Sequence, residues 1–182
     1  MLELRFHGRG GQGTVNAAQL LAKAVVMSGG YAQFIPAFGV ERKGSPVFGY
    51  FRMDDKIIWP KTQVYEPDGV VILDDSLMPQ VSVFEGLRDG GFVGLNTMRP
   101  AELVPLPKQA RLYTGLDATD IARKTIGREI PNTVMLGALA RTMGCIDADV
   151  LGGLICGKYG EKNEEAFRAG YEAAKVLTLW EV

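Results

Sequence analysis

LRFHGRGGQGTVNAAQLLAKAVV, residues Leu4 to Val26, decides how the rest of the chain is read. An apolar run, Leu2 to His7, passes through Gly8, Gly10, Gly11 and Gly13 into a stretch, Gly13 to Met27, that carries Val15, Ala18, Leu21, Ala22 and Val25 on one helical face. Strand, glycine loop, helix is the opening unit of an α/β layered fold. Gly8, Gly10 and Gly13 satisfy G-x-G-x-x-G at the place where a dinucleotide fingerprint sits. Two readings stand side by side: amides at the helix start hold a phosphate, or the loop is a tight corner that packs helix on strand. The fingerprint also needs an acid about 20 residues on, at the end of the second strand, for the ribose hydroxyls. That strand, YAQFIP (Tyr31 to Pro36), has none, and the first acid after the loop is Glu41. A nucleotide-hydrolysing P-loop needs lysine after its last glycine, where this chain has Thr14. A plain corner accounts for Gly10 and Gly13. It accounts less well for Gln12, whose amide either satisfies local backbone groups or reaches a partner.

Outward from that unit the pattern stays α/β. SGG (Ser28 to Gly30) stops the helix, and Val47 to Met53 reads as a third strand. MDDK (Met53 to Lys56) then predicts a turn into Ile57 to Trp59 as an antiparallel hairpin. EPDGVVILDD (Glu66 to Asp75) reads as a buried strand, nearly all aliphatic from Gly69 to Leu73. Asp74, Asp75 and Ser76 at its end could bind a metal or a ribose, or cap a helix; with no third ligand in view the cap is preferred. Short strands are expected at Gly91 to Leu95 and Ala110 to Thr114. From Asp117 onward the chain reads as helical, in segments 117–127, 131–144, 147–160 and 161–177. Neither a repeat nor an obvious linker interrupts it, so one domain over residues 1–182 is expected.

Composition narrows the function. No apolar run approaches the ~20 residues of a membrane span, and Glu3 and Arg5 interrupt Met1 to Phe6 as a signal peptide, so a cytoplasmic location is expected. The net charge of −1 predicts no nucleic-acid partner. Its distribution says more: residues 1–53 carry six basic against two acidic side chains, and Leu4 to Val40 contains no acid. A positive field around the glycine loop suits a small anion or an acidic surface; a largely buried helix would be equally poor in charge. Cys145 and Cys156 are too few to hold an iron-sulfur cluster or a four-cysteine zinc site, and both are expected to be buried, reduced thiols in helical stretches. The single histidine, His7, is read as a packed residue rather than a catalyst.

A second segment, AFGVERKGSPVFGYFR (Ala37 to Arg52), sets Arg42 and Lys43 in a loop that turns at Gly44 and Pro46. Arginine through its planar fork and lysine as a point charge could both meet phosphate there; a solvated surface loop has the same composition.

FHGRGGQG (Phe6 to Gly13), followed by a helix and then FGVERKGSP (Phe38 to Pro46), resembles the gamma subunit of 2-oxoacid:ferredoxin oxidoreductases, with the pyruvate type nearest. The likeness continues through YEPDGVVILDDSLM, PNTVMLGALA and EEAFRAGYEAAK, and so covers nearly the whole chain. The resemblance implies a Rossmann-like three-layer α/β/α sandwich with a mainly parallel or mixed sheet and a helical C-terminal part. It implies one subunit of a complex that oxidatively decarboxylates a 2-oxoacid to an acyl-CoA and passes electrons to ferredoxin or another acceptor. Thiamine diphosphate then belongs to alpha and beta subunits and [4Fe-4S] clusters to partners that include a ferredoxin-like delta subunit, with no catalytic residue on this chain. It further implies that Arg42, Lys43 and Gly44 contact coenzyme A phosphates, and that Arg9, Gly10, Gly11, Gln12 and Gly13 line the coenzyme A cleft or a subunit junction. Asn132 matches a family position, which helix capping explains equally. Nothing in RKGSPV or GYFRM separates pyruvate from 2-oxoglutarate, branched-chain, aryl-glyoxylate or indolepyruvate relatives, and selectivity is expected in other chains. A stand-alone dinucleotide-binding oxidoreductase and a purely structural subunit are the alternatives.

Overall fold

The computed structural model describes residues 1–37 and 44–179. Strand β1 (Leu2–Arg9) runs into helix α1 (Thr14–Met27), then β2 (Tyr31–Ala37), β3 (Pro46–Asp54), β4 (Gly69–Ile72), β5 (Gly91–Asn96) and β6 (Ala110–Leu116). Helices α2 (Ala118–Ile126), α3 (Asn132–Met143), α4 (Ala148–Tyr159) and α5 (Glu161–Ala173) follow, and β7 (Leu177–Thr178) closes the order. The strands form one mixed sheet in the order β2-β3-β1-β4-β5-β6-β7. β1, β4, β5 and β6 are mutually parallel, while β3 is antiparallel to both β1 and β2.

Alternation along the central strands builds two cores, as the period of two requires. Leu4 and Phe6 of β1, with Val71 and Leu73, join α1 and the C-terminal helices on one face. Val70, Ile72, Val93 and Leu95 pack on the other with Leu77, Val83, Leu87 and Val104. That second outer layer consists of loops and short 3-10 turns, at Asp75–Leu77 and Ala101–Leu103. The α/β class and the mixed sheet expected from sequence are both present.

Two devices hold the frame. Helices α3 and α5 approach closely at paired glycines: a Cβ on Gly137 would strike the Phe167 carbonyl, and one on Gly170 the Val134 carbonyl. On the other face Glu3 and Arg52 lie opposite each other on β1 and β3. Arg52, only 2% exposed, donates to Glu3 Oε1 at 2.6 Å, to Gln33 Oε1 at 3.2 Å, and to the carbonyls of Thr62 and Gln63 at 2.8 and 3.0 Å. A buried guanidinium persists only when its donors are filled in this way.

Three expectations are corrected. Ile57 to Trp59 is not a strand; β3 instead finds both antiparallel partners in β1 and β2, so no hairpin is needed to complete its ladder. The C-terminal part is not wholly helical, because Leu177–Thr178 pairs with β6. Cys145 is not buried in a helix: α3 stops at Gly144, whose φ of +65° only glycine adopts readily, and Cys145 is exposed beyond it. Cys156 lies within α4 and is half-buried.

Candidate functional site

The carboxyl ends of β1 and β4 lie side by side and their chains leave in opposite directions. β1 continues into α1 on the helical face, whereas β4 enters the turn at Asp75–Leu77, whose Leu77 belongs to the opposite core. Such a topological switch point opens a crevice at the strand ends, and the glycine loop sits in it.

The loop is shaped by two positive φ values, +99° at Gly11 and +76° at Gly13. Gly13 is the N-cap of α1; no side chain caps this helix and no acid lies in its first turn. The first backbone donor to bond back is Ala17, to the Gly13 carbonyl, so the amides ahead of it remain without intrahelical acceptors. A Cβ on Gly13 would collide with the Asn132 side chain. Asn132, the first residue of α3 and 6% exposed, accepts from the Thr133 amide through Oδ1 at 2.8 Å. Its Nδ2 lies against Gly13, where a Cβ would sit. These groups face a cavity of about 740 Å³ whose lining includes Gly11, Gly13, Asn16, Arg128, Asn132 and Lys162. The helix dipole and free backbone amides at the start of α1, with Arg128 and Lys162 against the single acid Glu161 in the lining, suit an anion. Arg128, Lys162 and Asn16 escaped sequence reasoning because they reach the loop from separate helices and connections with no shared motif.

On its other side the loop is tied to β4. Gln12 Oε1 accepts from the Arg9 amide at 2.8 Å and Nε2 donates to Asp74 Oδ2 at 2.7 Å. The Arg9 guanidinium lies 3.2 Å from the same carboxylate, donates to Ser76 Oγ at 2.8 Å, and donates to the Gly44 carbonyl at 3.0 Å. Asp74 also caps the 3-10 turn, accepting from the Ser76 amide at 3.0 Å, as the sequence led us to expect. Desolvation pushes its carboxyl up, but hydrogen bonds from Ser76 and Gln12 and the Arg9 charge outweigh this and hold it below the usual carboxylate range. Two backbone bonds, Gly10 N to Ser45 O at 2.9 Å and Gly44 N to Gly10 O at 3.2 Å, stitch the loop to the segment before β3. Beyond Gln12 lies a second crevice of about 590 Å³, lined in part by Asp74, Asp75, Thr97 and Asp117.

The structure thus brings together Arg9, Gly10, Gly11, Gln12, Gly13, Gly44 and Asn132. Arg42 and Lys43 lie outside the described residues. His7, one turn of the pleat before the loop, is 3% exposed, with its ring edge-on to Phe48 at 5.2 Å between centroids. Burial, reinforced by the Arg5 charge, drives its pKa down to about 3. Nε2 accepts from Arg5 Nε at 3.1 Å, which places the ring proton on Nδ1, a buried atom with no partner among the described residues. This is a packed neutral histidine, as its isolation in the sequence suggested. Among the described residues no group of three His, Cys, Asp or Glu side chains could hold a metal ion, and no helix is long and apolar enough to cross a membrane.

Comparison with known proteins agrees over nearly the full length. Residues 3–173 match the family model described as pyruvate ferredoxin/flavodoxin oxidoreductase. The chain is 48% identical to pyruvate synthase subunit PorC of Methanothermobacter thermautotrophicus, over 98% of this chain and 99% of that one. It is 46% identical to the pyruvate/ketoisovalerate oxidoreductases common subunit gamma of Pyrococcus furiosus, over 98% and 100%. The crystal structure of pyruvate oxidoreductase subunit PORC from Thermotoga maritima superposes with a TM-score of 0.83 at 37% identity, covering 96% of this chain and 97% of that one. The chain therefore belongs to the pyruvate ferredoxin/flavodoxin oxidoreductase family, as a subunit of the gamma type.

Proposed function

We propose that this chain supplies the coenzyme A side of the site in a multi-subunit 2-oxoacid:acceptor oxidoreductase, and that it carries no catalytic residue itself. The observation that carries this reading is the uncapped, acid-free start of α1 with the Asn132 amide beside it, in a cavity where Arg128 and Lys162 outnumber the one acid, Glu161. These residues fit the phosphates of coenzyme A. Gly11, Gly13 and Asn132 would hold them through amide donors, with Arg42, Lys43 and Gly44 adding charge and backbone from the adjoining segment. When bound, coenzyme A supplies the thiol that accepts the acyl group. The role of this chain is to orient it.

As the family resemblance implies, we assign thiamine diphosphate and the [4Fe-4S] clusters to partner subunits of the alpha, beta and ferredoxin-like delta kinds, with electrons leaving to ferredoxin or another acceptor; two separated cysteines on this chain, too few for a cluster, support the assignment of the clusters. A contact role with such subunits is supported by the 55–65 segment, where Ile57, Trp59 and Tyr65 are 56%, 80% and 70% exposed. The relative from Pyrococcus furiosus is described as common to pyruvate and ketoisovalerate enzymes. A subunit shared in that way cannot discriminate between the two acids, so we place substrate choice in the partners here as well.

The test is Arg42→Ala/Lys43→Ala in the assembled complex. Loss of two phosphate contacts, each worth about 1 kcal/mol or more, raises the KM for coenzyme A roughly tenfold or more, with assembly and the KM for the 2-oxoacid unchanged. An unaltered coenzyme A KM refutes the reading.

A further inference from the structure

Each side-chain nitrogen and oxygen of Arg9 and Gln12 has a partner inside the chain. Arg9 reaches Asp74, Ser76 and the Gly44 carbonyl, and Gln12 spans from the Arg9 amide to Asp74. Asp74 is therefore the point at which two struts meet. One runs through Gln12 to the backbone at the start of the glycine loop. The other runs through Arg9 to Gly44, which is itself bonded to Gly10. The three groups come from the ends of β1 and β4 and from the segment before β3, so they fix the loop relative to three strands. The arrangement needs arginine, whose planar fork serves three acceptors at once; lysine, a point charge on a flexible stem, meets one or two.

We propose that Arg9, Gln12 and Asp74 form a latch that positions the glycine-loop amides for the anionic part of coenzyme A, with Arg9 acting as a positioning residue and not as a phosphate ligand. This inference rests on the coenzyme A reading given above. Without the latch the loop amides are the same groups, but they lose their fixed aim at the cavity, and binding must then supply the ordering.

The experiment compares Arg9→Ala, Arg9→Lys, Gln12→Ala and Asp74→Asn in the assembled complex. Each is expected to raise the KM for coenzyme A about three- to tenfold while kcat at saturating coenzyme A and the KM for the 2-oxoacid stay at wild-type values. Because the struts share one carboxylate, Arg9→Ala combined with Asp74→Asn is expected to be no worse than the more impaired single variant. Multiplying effects would mark Arg9 as a direct ligand and overturn the latch. If the latch variants leave the coenzyme A KM unchanged while Arg42→Ala/Lys43→Ala raises it, the latch is refuted and the coenzyme A site stands. If none of them changes it, both fall. Asp74→Asn keeps the shape of the side chain and decides the question should Arg9→Ala fail to assemble.

Discussion

His7 makes the stability of this chain depend on pH in a way that can be calculated and read at one atom. In the folded state burial and Arg5 hold the imidazole pKa at about 3, whereas in the unfolded chain it returns to about 6.5. A basic group with a depressed folded pKa binds protons better when unfolded, so stability is complete above the unfolded value and is lost as pH falls below it. Between the two pKa values the loss approaches about 1.4 kcal/mol per pH unit. From pH 7 to pH 5 it amounts to about 2 kcal/mol, because at pH 5 the folded ring is still almost entirely neutral while the unfolded one is almost entirely charged. Denaturant unfolding of wild type and His7→Gln at both pH values isolates this contribution from the carboxylates. The wild type is expected to lose about 2 kcal/mol more than the variant. His7 is the only histidine, so its imidazole NMR resonance reports the folded titration directly. A ring that titrates near pH 6.5 in the folded chain, or equal pH slopes for the two proteins, would refute the reasoning.

Other perturbations test the frame. Gly170→Ala drives a Cβ into the Val134 carbonyl and is expected to cost about 1–3 kcal/mol. Gly153→Ala on α4, with open space around it, is expected to gain about 0.5–1 kcal/mol; calorimetry should show midpoints moving in opposite directions, and parallel shifts would contradict the packing. Glu3→Gln leaves the buried Arg52 without its charge partner, so a loss of about 3–5 kcal/mol is expected in denaturant titrations, and a loss below 1 kcal/mol would disprove the pairing. Asn96, 8% exposed, donates to the Leu73 carbonyl at 2.9 Å and accepts from the Ala118 amide at 2.9 Å. Asn96→Leu orphans both and should lower stability by at least about 2 kcal/mol in the same titration.

The features that sequence revealed are those governed by local physics. The continuous aliphatic run from Gly69, the capping start at Asp117 and the stops at Gly127 and Gly144 all appear where expected. The hairpin failed because both edges of β3 are taken by strands that precede it: Arg52 meets Glu3 and Phe51 meets Leu4 on β1, and Phe51 meets Phe34 on β2. A turn signal such as MDDK cannot register such partners. In the site, the glycines and Gln12 were visible as a motif, and Asp74 was visible as a cap. That the two interests meet in one hydrogen bond depends on β1 and β4 being parallel neighbours, which no spacing along the chain encodes. Arg9 illustrates the same limit: its charge is plain in sequence, but only the fold shows that the charge is already engaged.

The placement of β3 has a consequence for coenzyme selection. In the dinucleotide fold the second strand lies directly beside the first, so that an acid at its end reaches the ribose held over the glycine loop. Here Ala37, at the end of β2, pairs with Phe48, and Phe48 in turn pairs with His7. The ribose position is thus displaced by a whole strand, roughly 5 Å farther than the dinucleotide arrangement allows. Introducing an acid at Ala37 would therefore not recruit NAD. Placing a strand-end acid where the dinucleotide arrangement needs it would mean withdrawing β3 from between β1 and β2, a change of backbone pairing and not of any single side chain.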